Sequence, residues 1–259
     1  MRRSAVVKSF SWALAATLLL GGNEARATVV ERMTVADQVD EADLIFVGTM
    51  KQSETVVSKD GKFPFTFVTF EPRDVLKGHA PGLVTLRLAG GETTREVVEV
   101  AGMPSFELGE SYLLFVKDNG LAGCPVLGWS QGKLRFVTDP ESGRELLADA
   151  RGAVLTGIAG AQWSRTHAPD HLAARLGSPA PSYGVVAVSE GVKVVEDRER
   201  VATKAIADAE EVLAALRALI EAKASGPGFQ KGRAFRSADP TDVPEGMGGV
   251  VSAPKTTEN

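Results

Sequence analysis

From residue 42 onward the chain alternates short β-forming runs with turn residues. Positions 42–50 are a continuous apolar run, as expected of a strand covered on both faces, and Gly48 inside it predicts a bulge or bend. The polar stretch 53–62 ends in Asp60-Gly61, a turn signal. Positions 63–76 predict the longest strand. Phe65, Phe67 and Thr69 fall on one face, and Thr66, Val68 and Phe70 on the other, with Pro72 interrupting the ladder or marking an edge. In 83–88, Val84, Leu86 and Leu88 alternate with Thr85 and Arg87, and Gly90-Gly91 makes the next turn. A fourth strand is predicted over 95–100 and a fifth over 110–117, the latter fed by the turn that follows Phe106. Five strands joined by short turns predict a mainly β fold: a five-stranded antiparallel OB-like barrel. Short strands at 133–137 and 145–147 are appended to it.

Further on the period changes. Positions 151–177 are weakly patterned, and 183–195 predict a small hairpin around Ser189-Glu190-Gly191. Over 197–224, Ala202, Ile206, Ala209, Leu213, Leu216 and Ile220 recur at steps of three and four, which predicts a C-terminal amphipathic α-helix. That stripe suits packing on its own domain or a homodimer formed through the helix. Before the first strand, 29–40 reads as a helical lead-in, with Val30, Met33, Val35 and Val39 on one side. The Gly- and Pro-rich stretch 225–259 has no period and reads as a disordered tail. The predicted organisation is a signal peptide at 1–27 and a barrel domain at 28–150. A linker with a hairpin at 151–196, the helix at 197–224 and the tail at 225–259 follow.

The signal assignment rests on Arg2, Arg3 and Lys8, the apolar run 10–20, and the small residues of Ala25-Arg26-Ala27. Cleavage is expected after Ala27, placing the protein in the periplasm or outside the cell. The apolar run is too short to stay as a membrane anchor. The chain of 259 residues carries 29 basic and 33 acidic side chains, a net charge of −4. Cleavage makes it more acidic, because Arg2, Arg3, Lys8 and Arg26 leave with only Glu24. That balance argues against a broad phosphate-tracking surface, so nucleic acid is not an expected partner. One cysteine excludes an internal disulfide, and three histidines leave few ligands for a zinc centre.

Candidate chemistry is thin. No catalytic set and no cofactor-binding motif stands out. His167-Ala-Pro-Asp-His171 spaces two imidazoles by four with Asp170 between, which on a helix would let His167, His171 and Asp170 share a metal. Pro169 restricts that helix, and a pair of exposed loop histidines is the alternative. Cys124, before Pro125, reads as a small buried thiol. Gly90, Gly91 and Gly102 lack a nucleotide-binding pattern and read as turn glycines. Asp37, Asp40, Glu41 and Asp43 read as a solvated acidic face, without the spacing of a calcium loop. Ser130, Ser142 and Ser164 lack a nucleophile-elbow context.

The succession Ala42-Asp43-Leu44-Ile45-Phe46-Val47-Gly48-Thr49, Phe67-Val68-Thr69-Phe70, Asp74-Val75-Leu76-Lys77-Gly78 and Gly109-Glu110-Ser111-Tyr112-Leu113-Leu114-Phe115 resembles the netrin-like family. Its members include the tissue inhibitors of metalloproteinases, and exported bacterial proteins share the pattern. The resemblance covers about residues 42–117 and implies an OB-type barrel used for recognition. Those inhibitors chelate a protease's zinc through an N-terminal cysteine. The expected mature end here is Thr28, so that mechanism does not carry over. The expectation is an exported, non-enzymatic protein-binding module, with protease regulation as its narrower form. The alternatives are an exported metal-dependent hydrolase using the histidine pair, or an envelope scaffold dimerising through the helix.

Overall fold

The computed structural model describes residues 32–80, 82–118, 123–176, 206–226, 229, 232 and 234–246. The predicted signal peptide, the hairpin at 183–195 and the first part of the predicted helix, Ala202 included, lie outside these residues. The described chain is mainly β. Helix α1 (Val35–Glu41) leads into strands β1 (Leu44–Val57), β2 (Pro64–Lys77) and β3 (Val84–Ala89). The two-residue strands β4 (Gly91–Glu92) and β5 (Val97–Val98) follow, then β6 (Ser111–Val116). A 3-10 turn at Trp129–Gly132 precedes β7 (Lys133–Thr138), β8 (Glu145–Ala148), β9 (Val154–Ala159) and β10 (Gln162–Thr166). Helices α2 (Asp170–Leu176) and α3 (Ala209–Ala224) complete the order.

Eight strands form one antiparallel sheet in the order β10-β9-β8-β7-β6-β1-β2-β3. Among the described residues this order is open, so it differs from a closed five-stranded ring. The predicted fourth strand is not part of the sheet: β5 pairs only with β4, in a separate two-stranded hairpin. The sheet runs on past position 150, where the first domain is expected to end: Ala148 pairs with Val154, and the pairing continues through β9 and β10. β1 also runs on to Val57, through a stretch that reads as loop, because it pairs with β2 as far as Val57↔Pro64. The register shifts between Val47 and Gly48, opposite Pro72. The glycine and the proline thus share the irregular point, as a strand Pro requires.

β6 sits at the centre and is apolar on both faces. Tyr112, Leu114 and Val116 join Leu44, Phe46, Phe70, Val84 and Leu86 in one core cluster. Leu113 and Phe115 face the opposite way, with Ile45, Val47, Leu134, Leu147 and Trp163. That second face is roofed by α1 and α3. Val212, Leu213, Leu216 and Ile220 of α3 are buried in it. The apolar stripe is therefore covered by the chain's own sheet. α3 starts at Ala209, later than the periodicity suggests, because Asp208 and Glu211 form a capping box there. Among the described residues no helix is long and apolar enough to cross a membrane.

An irregular segment draws the ends of β3 and β6 together. Gly123 O accepts from Ala89 N at 2.8 Å, Pro125 O from Lys117 N at 2.9 Å, and Leu127 N donates to Phe115 O at 2.9 Å. Part of the stretch read as a disordered tail is also in place, a correction to that reading. Phe235 joins the β1–β3 core, and Val243 packs on Phe65 and Phe67. Ala238 N donates to Thr85 O, and Ser237 Oγ bonds Thr85 N and Leu83 O. This covers the outer edge of β3.

The corner between α1 and β1 is where distant segments meet. Lys77, buried at the end of β2, donates to Val39 O at 2.7 Å and Asp40 O at 3.1 Å, satisfying carbonyls of the last turn of α1. Its neighbour Gly78 has φ +85° and lies so close to Asp43 that a Cβ would stand 2.2 Å from Asp43 O. Gly78→Ala should therefore cost at least about 3 kcal/mol in urea unfolding. Gly61→Ala, with φ +73° but open space around it, should cost only about 1–2 kcal/mol. Equal losses would show that the close approach is unimportant. Leu216→Asp should lower stability by about 3 kcal/mol or more, because it places a carboxylate against the sheet. Unchanged stability with a change of oligomeric state would contradict the packing of α3.

Candidate functional site: a braced loop beside a gap in the sheet

The turn that feeds β6 is held from several sides. Phe106 packs edge-on against Phe70 and Tyr112, with ring centres 5.1 Å apart in both cases. The hydroxyl of buried Tyr112 accepts from Glu107 N at 2.8 Å. Gly109, in the left-handed region at φ +83°, donates its N–H to Met50 O at 2.9 Å. Lys133 Nζ donates to Ser105 O at 2.7 Å and lies over the Phe106 and Tyr112 rings at 5.4 and 5.7 Å. Burial in this aromatic setting pushes the Lys133 amine down to about 8. Arg135 bonds Glu107 at 3.1 Å and Glu110 at 3.4 Å. These contacts fix the backbone on both sides of Leu108, whose side chain projects with 71% of its surface exposed. No other large apolar residue among those described is as exposed.

Beside the loop the sheet opens into a cavity of about 430 Å³. One wall is residues 109–111, the other is residues 136–138, and Arg135, Glu145 and Arg175 stand around it. The lining is polar and carries both signs of charge. Arg73 approaches Glu145 at 3.6 Å and stacks over the Phe136 ring at 4.5 Å. Arg175 Nη1 reaches Thr138 O at 3.4 Å.

The residues singled out from sequence take other roles. His171, in the first turn of α2 beside Asp170, places Nε2 3.0 Å from Asp139 Oδ1 and Nδ1 3.6 Å from Glu141 Oε1. His167 lies in the segment before that helix. Among the described residues no group of three His, Cys, Asp or Glu side chains is placed to hold a metal. His171 fastens α2 to the β7–β8 turn instead. Ser142 also bonds Asp139, and its hydroxyl is the first cause that holds this carboxyl below the usual range. Serine, aspartate and histidine are thus gathered, but the carboxylate lies between the other two. The imidazole is not placed to take the serine proton, as nucleophilic catalysis requires. In the acidic group before β1, Asp37 caps α1 through Thr34, Asp40 pairs with Lys223 and Glu41 with Lys117. Asp43 accepts from Asp118 N.

Sequence reasoning missed Leu108 and the arginines of the gap. The available signal was a lone apolar residue between Glu107 and Gly109 in a turn, out of phase with the strand that follows. The family, curated-protein and solved-structure comparisons return no match for this chain.

Cys124 is buried, its thiol directed to Val126 O at 3.7 Å, and burial pushes it up to about 12. It should resist thiol reagents at pH 8 in the native state and react fully once unfolded. The linkage sign follows. An unfolded thiol ionises near pH 9 while the folded one keeps its proton, so stability should fall as pH rises from 9 toward 12. Cys124→Ala should flatten that part of the alkaline stability profile. A thiol that reacts rapidly in the native protein would overturn this placement.

Proposed function

We propose that the chain is an exported, non-enzymatic protein-binding module whose contact surface is the loop 105–109 with the adjoining gap. The observation that carries this reading is the bracing of Leu108. The backbone that carries this exposed apolar side chain is held by contacts on both flanks, so little backbone freedom is lost when a partner covers it. Mixed charge around the gap supplies a polar rim of the kind that surrounds an apolar anchor at protein interfaces. Export rests on the basic, apolar and small-residue succession ending at Ala27.

The OB-like, netrin-like build belongs to the same proposal. Two features support it: the run β3-β2-β1-β6, and the segment 123–127 that bonds the end of β3 on one side and β6 on the other. A closing element of a barrel would occupy that position. Protease regulation is the narrower form of the function. It is dropped if micromolar mature protein leaves the secreted metalloproteases of its own source fully active.

The loop is tested by cross-linking in the native host, followed by purification of wild type, Leu108→Asp and Leu83→Asp. Leu83 is 54% exposed, and its backbone is engaged by Ser237 at the far edge of the sheet. Leu108→Asp should lose the cross-linked partner while its melting temperature stays within about 2 °C of wild type. Leu83→Asp should keep both. Retention of the partner by Leu108→Asp would remove the loop from the interface.

A further inference from the structure

The β6–β7 ladder has three pairs, Leu114↔Lys133, Leu113↔Leu134 and Tyr112↔Arg135, and stops there although both strands continue. On one side the chain stays with β1: Met50 N donates to Glu110 O, and Gly109 N to Met50 O, each at 2.9 Å. On the other side β7 follows β8 through Phe136↔Leu147, Val137↔Leu146 and Thr138↔Glu145. The continued register would set Ser111 against Phe136 and Glu110 against Val137, and neither pair forms. The cavity of about 430 Å³ lies between these diverging strands.

The peptide groups of β7 have a definite direction here. Asp139 N donates to Arg144 O at 2.8 Å, on the β8 side. Hydrogen-bonding direction alternates along an antiparallel strand, so Val137 also faces β8, whereas Phe136 and Thr138 turn their peptide groups toward the gap. Arg175 reaching Thr138 O from outside the β7–β8 ladder agrees with this. Thr138 O is engaged by Arg175, but no strand pairs with β7 on this side beyond Arg135, and a strand flank left without a neighbouring strand is a template for another. The charges are uneven in their pairing. Arg135 is matched by Glu107 and Glu110, and Glu145 lies near Arg73. Arg175 is exposed and, among the described residues, bonds the uncharged Thr138 carbonyl.

We propose that the gap receives an extended segment of a partner protein, which adds as a short strand along 136–138 and sets an acidic side chain against Arg175. This rests on the reading that the same face binds protein, and it names the form and charge of what enters.

The probe is the peptide acetyl-Thr-Val-Glu-Val-Thr-amide, titrated into the full mature chain and followed by amide NMR. Shifts should concentrate at 111 and 136–138. Methylating alternate peptide nitrogens of the probe should weaken binding at least about tenfold, because it removes main-chain donors. Replacing its glutamate by glutamine should weaken binding by about threefold to tenfold. In Arg175→Gln the glutamate and glutamine peptides should bind alike, with the melting temperature unchanged. The proposal fails if the methylated and parent peptides bind equally, if the shifts fall elsewhere, or if millimolar peptide produces none. It also fails if Arg175→Gln keeps the preference for glutamate. None of these failures alters the Leu108→Asp result, so strand addition can fall while the loop remains a contact surface.

Discussion

β6 has no polar face, and the rest of the molecule follows from that constraint. Tyr112, Leu114 and Val116 need cover on one side, and Leu113 and Phe115 on the other. Strands β1 to β3 supply the first cover with Leu44, Phe46, Phe70, Val84 and Leu86. Because side chains alternate across a sheet, the opposite face carries Ile45 and Val47 beside Leu113 and Phe115, and cover for that face comes from outside the sheet. It is supplied by α1, which precedes the sheet in sequence, and α3, which follows it. A strand buried on both faces thus ties both ends of the described chain to its middle.

The braced loop and the gap share one cause. Residues 109 and 110 remain bonded to β1, while residues 136–138 turn away with β8. The strands separate where Arg135 holds Glu107 and Glu110. Those ion pairs are partly exposed, and exposed pairs contribute little stability individually. Their effect is positional: they keep the loop's acidic residues beside the opening, while the Phe106–Tyr112–Phe70 contacts hold the loop to the core. Rigidity on one side and an unfinished ladder on the other give the surface both a fixed projection and a recess.

Much of this fold was legible in sequence where burial and period agree. β1, β2, β3 and β6 announce themselves by apolar continuity or alternation, and the stripe from Ala209 to Ile220 announces α3. β9 and β10 do not, since Gly157 interrupts one and only Trp163 is buried in the other. Residues 53–57 read as part of a polar stretch because Ser53, Glu54 and Thr55 open it and Asp60-Gly61 closes it; pairing with β2 holds them, and pairing leaves no trace in hydropathy. Phe235 and Val243 are isolated apolar residues in a Gly- and Pro-rich stretch, so period-based reasoning discards them. The loop before β6 could be found as a turn. The gap could not, because it is the end of a register, which depends on two strands and on where each finds its other neighbour.

The placement of the segment 234–246 bears on how the protein comes to be made. Thr85 and Ser237 lie 152 positions apart, and Val243, with Ala238 beside it, packs on Phe65 and Phe67. A chain emerging from the ribosome displays that aromatic flank of β2 long before its cover has been synthesised. The hydrogen-bonding edge of β3 waits equally long, and such late, long-range contacts prolong the period in which a chain can stick to its neighbours. Holding the nascent protein unfolded until synthesis is complete, as secretion in an extended form does, would keep that flank from being presented on a half-built sheet.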